Sequence, residues 1–131
     1  MIFLDTDIIS FYHYGIKDIV DKVNKLLDSN EQICITVINK YEILRGHKWK
    51  ENKQKEHMFR MFMADCDIFT IDDLVIEIAS DIYSDLRKNG ITIDEGDILI
   101  AAIVIANDGV LVTNNTKHFG NIKQLKVVNW V

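Results

Sequence analysis

Ile2-Phe3-Leu4-Asp5-Thr6-Asp7 is the stretch that decides the fold class, because an apolar run ends abruptly in an acidic one. Consecutive large apolar residues are typical of a strand that is buried on both faces, as in a parallel sheet. We therefore predict a strand over 1–5 with Asp5 at its carboxyl end. Ligands of open α/β sheets bind at that edge, so the Asp5 carboxylate is the first candidate functional group.

A second acid, Glu42, stands in a similar setting. It follows a predicted strand over 31–36 and lies in the early turns of a helix that we expect to start near Thr36 and run towards Gly46. Helical side chains lean towards the N-terminus of their helix. The Glu42 carboxylate should therefore point back to the sheet edge.

Two further polar signatures flank the most apolar part of the chain. Asp97 directly precedes Ile98–Ala106, whose length favours a buried helix over a strand, so Asp97 is expected at a helix N-terminus. A strand over 110–113 follows and places Asn114 and Asn115 at its carboxyl end. Taken alone, each signature also fits a helix cap, a solvated helix residue or a turn. Their shared position at one sheet edge favours a common pocket.

The predicted elements alternate between strands and helices, and we expect residues 1–131 to form a single domain. The predicted order is a strand at 1–5, helices over 6–29, a strand at 31–36, helices over 37–64, a strand at 66–71, helices at 73–88 and 97–107, and strands at 110–113 and near 126–128. This alternation indicates an α/β fold with a mainly parallel sheet and helices on both faces.

These motifs, in this order, resemble those of the PIN-domain ribonucleases, and in particular the small VapC-type toxins of bacterial and archaeal toxin–antitoxin pairs. The resemblance covers nearly the whole chain through Phe3–Ile8, Thr36–Gly46, Gly96–Ala102 and Leu111–Phe119. It implies a three-layer sandwich whose central sheet has four to five strands. It also implies a divalent-metal-dependent endoribonuclease that hydrolyses RNA, forms a homodimer and is blocked by a cognate antitoxin protein.

The resemblance implies roles for individual residues as well. Asp5 and Asp97 would bind the metal directly, Glu42 would be a ligand or hold a metal-bound water, and Asn115 would be the fourth catalytic residue. Asn115 replaces the acid of other relatives, and His118 stands where many relatives carry Asp or Glu. These two departures leave the fourth ligand and the number of metal ions open.

The acidic residues also indicate the chemistry. Mg²⁺ and Mn²⁺ are hard cations that prefer oxygen ligands, so either is the expected cofactor. Three converging carboxylates repel one another unless a cation or protons neutralise them. A bound cation can lower the pKa of a coordinated water and stabilise a leaving oxygen, which points to phosphodiester hydrolysis.

The net charge of −5 at first argues against a nucleic-acid partner, but the charge is unevenly distributed. Residues 45–60 carry six Lys or Arg against two Glu, so this stretch is locally +4 and the remainder is −9. A basic segment beside the predicted site could hold an RNA backbone. Arg45 and Lys48, together with Thr6 beside the first acid, are the predicted substrate or partner contacts. The alternative for the lysines is a solvated helix face.

Several remaining features bear on assembly and location. The longest apolar run has nine residues, against about 20 needed to span a bilayer, and no secretory signal is visible, so we expect a cytoplasmic protein. Cys34 and Cys66, in separate strand candidates, are expected to be free thiols. A further group either packs in the core or lines a groove for the antitoxin: Tyr12, Tyr14, Phe59, Met61, Phe62 and Met63.

Two other functions fit part of the pattern. Phosphatases of the haloacid dehalogenase type also begin with Asp-x-Asp, but they expect Thr or Val where Ile9 stands and a later Asp where Ala101 stands. The second alternative is a non-catalytic binding module that kept the fold. The three retained acids argue against it, whereas the departures at Asn115 and His118 keep it open.

Overall fold

The structure is a computed structural model that describes residues 1–131. Its strands are β1 (Ile2–Leu4), β2 (Ile33–Thr36), β3 (Asp67–Phe69), β4 (Val110–Val112) and β5 (Lys126–Val128). Its helices are α1 (Thr6–Tyr14), α2 (Lys17–Asp28), α3 (Val37–Trp49), α4 (Lys53–Met63), α5 (Asp73–Lys88), α6 (Glu95–Ala106) and α7 (Thr116–Phe119). The predicted alternation of strands and helices is confirmed.

All five strands form one parallel sheet in the order β3-β2-β1-β4-β5. Phe3 of the central strand lies opposite Cys34 on one side and Leu111 on the other. The chain runs outward from β1 through β2 to β3, and later from β4 to β5. This reversal makes the carboxyl ends of β1 and β4 the place where an open α/β sheet forms its ligand crevice.

Alternating side chains of the sheet enter two separate cores. Phe3 faces the core built with α5, α6 and α7, and the next residue, Leu4, faces the core built with α1, α2 and α4. Successive strand residues point to opposite faces, so a short apolar strand can supply both layers. The predicted sandwich with helices on both faces is confirmed.

The apolar run Ile98–Ala106 forms most of α6, which resolves its ambiguity in favour of a helix. The helix is apolar on all sides because it is buried on nearly all sides. It ends where the Gly109 amide donates to the Val104 carbonyl, at 3.0 Å. A Cβ atom at Gly109 would lie 2.6 Å from the Phe3 ring, so this turn requires a glycine.

The element boundaries differ from the prediction in several places. α6 begins at Glu95 rather than at 97, and α3 continues past Gly46 to Trp49. Gly46 does not adopt the positive φ of a helix-ending glycine, so the helix continues through it. Cys66 lies just before β3 rather than within it, and both cysteines are free. Helix α7 was not predicted, and none of the helices is long and apolar enough to cross a membrane.

Candidate active site

The site begins at the carboxyl end of β1, where the Asp5 side chain is only 7% exposed. Its Oδ1 accepts hydrogen bonds from the Thr6 amide and from Asn39 Nδ2, both at 2.9 Å. Its Oδ2 accepts one from the Thr113 hydroxyl at 2.7 Å. An ionised carboxylate offers about four acceptor positions, so one position on Oδ2 remains free. Asp5 therefore presents a single fixed acceptor at the sheet edge.

Asn39 organises this part of the site, although it was not among the predicted site residues. It is fully buried on α3, and its Oδ1 accepts a hydrogen bond from the Thr36 hydroxyl at 2.6 Å. This bond orients the amide so that Nδ2 donates both to Asp5 and to the Thr6 hydroxyl, the latter at 3.0 Å. One buried amide thus links the ends of two neighbouring strands.

The Thr6 hydroxyl links Asn39 to the second acid, Glu42. Because it accepts from Asn39, its single proton is free to donate to Glu42 Oε1, at 2.8 Å. The other oxygen of Glu42 lies 3.7 Å from the place where a Cβ at Gly96 would stand, so Glu42 reaches the start of α6. Thr6, predicted as a substrate or partner contact, holds a carboxylate in this structure.

Asp97 enters the site from the first turn of α6, as predicted. Its Oδ2 lies 3.6 Å from His118 Nδ1, and that nitrogen lies 3.1 Å from Asn115 Nδ2. The backbone N–H of Asn115 donates a hydrogen bond to the Thr113 hydroxyl at 2.9 Å. Helix α7 therefore carries His118 to the Asp97 carboxylate, and Asn115 lies between them and the end of β4.

Two acids of this edge hold protons more tightly than usual. Burial, followed by repulsion from Asp5, Asp94 and Glu42, raises the pKa of Asp97 from 3.8 to about 6, against a lowering contribution from His118. Burial, followed by repulsion from Asp5, likewise raises the pKa of Asp7 from 3.8 to about 6. The carboxylates therefore form one electrostatically coupled group.

The Asp7 carboxylate has a structural role that its place in the sequence motif did not reveal. Its Oδ1 accepts from the Ile8 amide at 2.7 Å, and its Oδ2 accepts from the Asn114 amide at 3.0 Å. It thereby fastens the loop after β4 to the start of α1. This contact keeps the Asn114-Asn115 segment beside the site.

The acidic side chains of the site suit a hard cation, although their oxygens do not converge on one point in this structure. No three Asp, Glu, His or Cys side chains lie close enough to hold an ion without rearrangement. The predicted ligands Asp5, Glu42 and Asp97 all supply oxygen, which Mg²⁺ and Mn²⁺ prefer. Burial, followed by repulsion from the other acids, raises the pKa of Asp97, and a positive charge relieves that repulsion. The residues present therefore fit a divalent cation.

The basic segment forms the exposed continuation of α3 and the start of α4. Arg45 and Lys48 are both exposed, and the Arg45 guanidinium lies 5.0 Å from the centre of the Tyr41 ring. Lys55 instead contacts the His13 carbonyl, and Arg60 pairs with Glu56. The basic residues of this segment that have no carboxylate partner are Arg45, Lys48, Lys50, Lys53 and Lys55.

Of the apolar residues predicted for core or groove, some are buried and some line a groove, whereas Tyr14 is exposed and does neither. Phe59 and Phe62 are buried, whereas Met61 is exposed. Met61 lies in an open groove between the first two helices and α4, with His13 among the lining residues. Burial lowers the pKa of His13 to about 4, so this side chain is uncharged at neutral pH.

The PIN domain family model matches residues 2–125. Ribonuclease VapC2 from Rickettsia felis is 31% identical over 107 residues, which cover 81% of this chain and 80% of the relative. This chain belongs to the VapC family of PIN-domain proteins.

Two further VapC matches agree with this assignment. Ribonuclease VapC1 from Methanocaldococcus jannaschii is 37% identical over 91 residues, 70% of this chain and 65% of the relative. The crystal structure of VapBC2 from Rickettsia felis bound to a DNA fragment from their promoter contains a chain of the same fold. It matches with a TM-score of 0.91 and 27% identity over 100% of both chains. The family and the fold predicted from the sequence are confirmed.

Proposed function

We propose that this chain is a divalent-metal-dependent endoribonuclease and the toxin of a VapBC-type pair. Both named relatives are ribonucleases, which supports the enzyme class predicted from the sequence. The roles of individual residues and the identity of the metal are part of the proposal. Asp5, Glu42 and Asp97 are the proposed metal-binding residues, and Asn115 is the proposed fourth member of the catalytic set.

The observation that carries this proposal is the chain of hydrogen bonds that ends on two of the acids. Thr36 orients Asn39, which donates to Asp5 and to Thr6, and Thr6 donates to Glu42. A buried polar network of this kind is costly unless every member is satisfied. This network fixes the orientation of the Asp5 and Glu42 carboxylates. Neither forms an ion pair with a basic side chain, so both can bind a cation.

Each group has a distinct proposed role in hydrolysis. When bound, Mg²⁺ or Mn²⁺ supplies the charge that acidifies a water and stabilises the negative charge developing on the phosphate oxygens. Asp5 holds the remaining acceptor position of its Oδ2 in one orientation because three hydrogen bonds fix the carboxylate. The Thr6 hydroxyl keeps Glu42 turned towards the same edge. Asn115 and His118 border the Asp97 side of the site.

Cleavage assays on a total RNA pool test this function. The wild-type protein should cut RNA when Mn²⁺ or Mg²⁺ is present and stop when EDTA removes the ion. Asp5→Asn and Asp97→Asn should each abolish cleavage while the circular dichroism spectrum stays unchanged. Asp81→Asn is the matched control, because Asp81 is an exposed acid of α5, a helix that contributes none of the proposed site residues. Full cleavage by either site variant would contradict the assignment.

We also propose that the chain forms a homodimer and that a cognate antitoxin covers its active site. The structural match is to a VapBC complex, which supports an antitoxin partner. The test is co-expression with the product of the adjacent short open reading frame. A complex that elutes together and no longer cuts RNA would support the pair, whereas a protein that stays uncomplexed and active would contradict it.

A further inference from the structure

Helix α3 exposes a row of two aromatic rings with an arginine between them. Tyr41 is 60% exposed and Trp49 is 87% exposed, although both carry large apolar surfaces. Arg45 stands midway and places its guanidinium 5.0 Å from the centre of the Tyr41 ring. Single exposed apolar residues are common on protein surfaces and need no explanation, but a row of exposed aromatic side chains indicates an interaction site.

The spacing places the three side chains in line. Residues four apart on an α-helix are separated by about 6 Å along the axis and by only about 40° around it. Tyr41, Arg45 and Trp49 therefore lie on one side of α3, one turn apart. Glu42 is the next residue after Tyr41, about 100° further around α3, so the row begins one residue from the proposed active site and runs away from it along the helix.

We propose that Tyr41, Arg45 and Trp49 form a base-stacking strip for a single-stranded segment of the RNA substrate. This inference rests on the proposed nuclease function and specifies its substrate as unpaired RNA. Sequence-tolerant binding of single strands combines aromatic rings, on which bases stack, with cationic side chains along the backbone. Paired bases in a duplex are already stacked and cannot lie on these rings.

The charge around the strip favours RNA over a protein as its occupant. Lys48 and Lys50 lie beside Trp49 and have no carboxylate partner, so their charges are available to phosphates. The same stretch is locally +4 in a chain whose net charge is −5. Clustered positive charge next to stacking rings is complementary to a flexible polyanion with exposed bases.

The chain contains a matched control for the strip. On α5, Tyr83 and Arg87 form the same type of pair at the same four-residue spacing, with the guanidinium 5.2 Å from the ring centre. Tyr83 is 40% exposed. Tyr83→Ala therefore removes an equivalent ring from a helix that contributes none of the proposed site residues. Tyr41→Ala and Trp49→Ala remove the rings of the strip.

Binding is measured in an Asp97→Asn background, so that the RNA is not cut. Fluorescence anisotropy compares a labelled single-stranded RNA oligonucleotide with a duplex of the same length. Trp49→Ala and Tyr41→Ala should each weaken binding of the single strand by about fivefold to a hundredfold, the range for one stacked base. Tyr83→Ala should bind like the background protein. The duplex should bind more weakly than the single strand and respond little to any of the three changes.

A direct readout of stacking is the fluorescence of Trp49 itself. The other tryptophan, Trp130, is replaced by Phe so that only Trp49 emits. Single-stranded RNA should quench this emission, because bases that stack on the indole contact it directly. RNA that binds without quenching would overturn the strip.

The remaining outcomes separate the strip from the nuclease function. Metal-dependent cleavage by the wild type, together with unchanged single-strand binding by Tyr41→Ala and Trp49→Ala, would refute the strip alone. A shift of these variants from dimer to monomer with unchanged RNA binding would assign the surface to a protein interface and refute it too. A wild-type protein that neither binds nor cuts RNA would refute both proposals.

Discussion

Replacing Asp97 with Asn should stabilise the metal-free protein at neutral pH and remove most of its stabilisation by manganese. The Asp97 carboxylate is half-buried beside other acids, and burial, followed by repulsion from these acids, raises its pKa from 3.8 to about 6. Keeping it ionised at neutral pH therefore costs free energy in the folded protein. Asn keeps nearly the same shape without the charge, but it is a weaker ligand for a hard cation.

The size of the effect follows from the pKa. A rise of about 2 units corresponds to about 3 kcal/mol, at about 1.4 kcal/mol per unit. Solvent screening of a half-buried acid reduces this, so we expect a gain of roughly 1–2 kcal/mol in the free energy of unfolding. For a domain of this size that corresponds to about 3–8 °C in melting temperature.

The pH dependence has a definite sign. Because the folded protein holds the Asp97 proton more tightly than the unfolded chain, ionisation favours unfolding as pH rises from about 4 to about 6. The penalty is complete above that range and absent below it. The variant should therefore melt higher than the wild type at pH 7.5, and this difference should shrink towards pH 4.

Differential scanning fluorimetry with EDTA and with Mn²⁺ measures both effects. An ion at a hundredfold excess over its dissociation constant should stabilise the wild type by about 2.7 kcal/mol and the Asp97→Asn protein far less. The order of melting temperatures should then reverse on adding manganese. Asp81→Asn removes the charge of an exposed acid on α5, away from the proposed site, and should keep the manganese shift. Equal manganese shifts in the wild type and in Asp97→Asn would refute the shared metal site.

Three further predictions concern other parts of the fold. Asn39→Ala should destabilise the protein by about 1–3 kcal/mol and weaken Mn²⁺ binding in calorimetry, because buried acceptors lose their donor. An unchanged Mn²⁺ affinity would reduce Asn39 to a structural role. Arg45→Gln combined with Lys48→Gln should lower the salt slope of single-stranded RNA binding by about 1.4, at about 0.7 per phosphate contact, whereas an unaltered slope would place both residues on a solvated face. Gly109→Ala should cost about 1–3 kcal/mol in urea denaturation, because its Cβ would overlap the Phe3 ring. Wild-type stability would contradict that clash.

The residues placed correctly from the sequence are those with local signals. Asp5 directly follows an apolar strand, and Asp97 lies in the first turn of an apolar helix. Neighbouring residues in the sequence indicate both boundaries. Parallel strands then bring such boundaries to one edge, whatever lies between them along the chain. The architecture and the placement of the acids at one sheet edge could therefore be predicted, while the catalytic roles assigned to Asn115 and to the acids stay predictions.

The residues missed are those whose role depends on distant partners. Asn39 is one polar residue in a helix with mixed composition, and nothing nearby distinguishes it from a solvated one. Its burial arises because Asp5 and Thr6, 34 and 33 positions earlier, lie beneath it. Helix α7 was missed because it has four residues and one buried side chain, Phe119, too few for a periodic pattern.

The central position of β1 has a consequence for synthesis on the ribosome. β1 emerges first, but its neighbour β4 comes more than 100 residues later, as does the Thr113 hydroxyl that holds Asp5. Asp97 also arrives late. A nascent chain therefore carries Asp5 and Glu42 for most of its synthesis without a complete site. With the proposed metal-binding residues, the enzyme therefore gains a complete site only after α6 and β4 have been synthesised, near the end of translation.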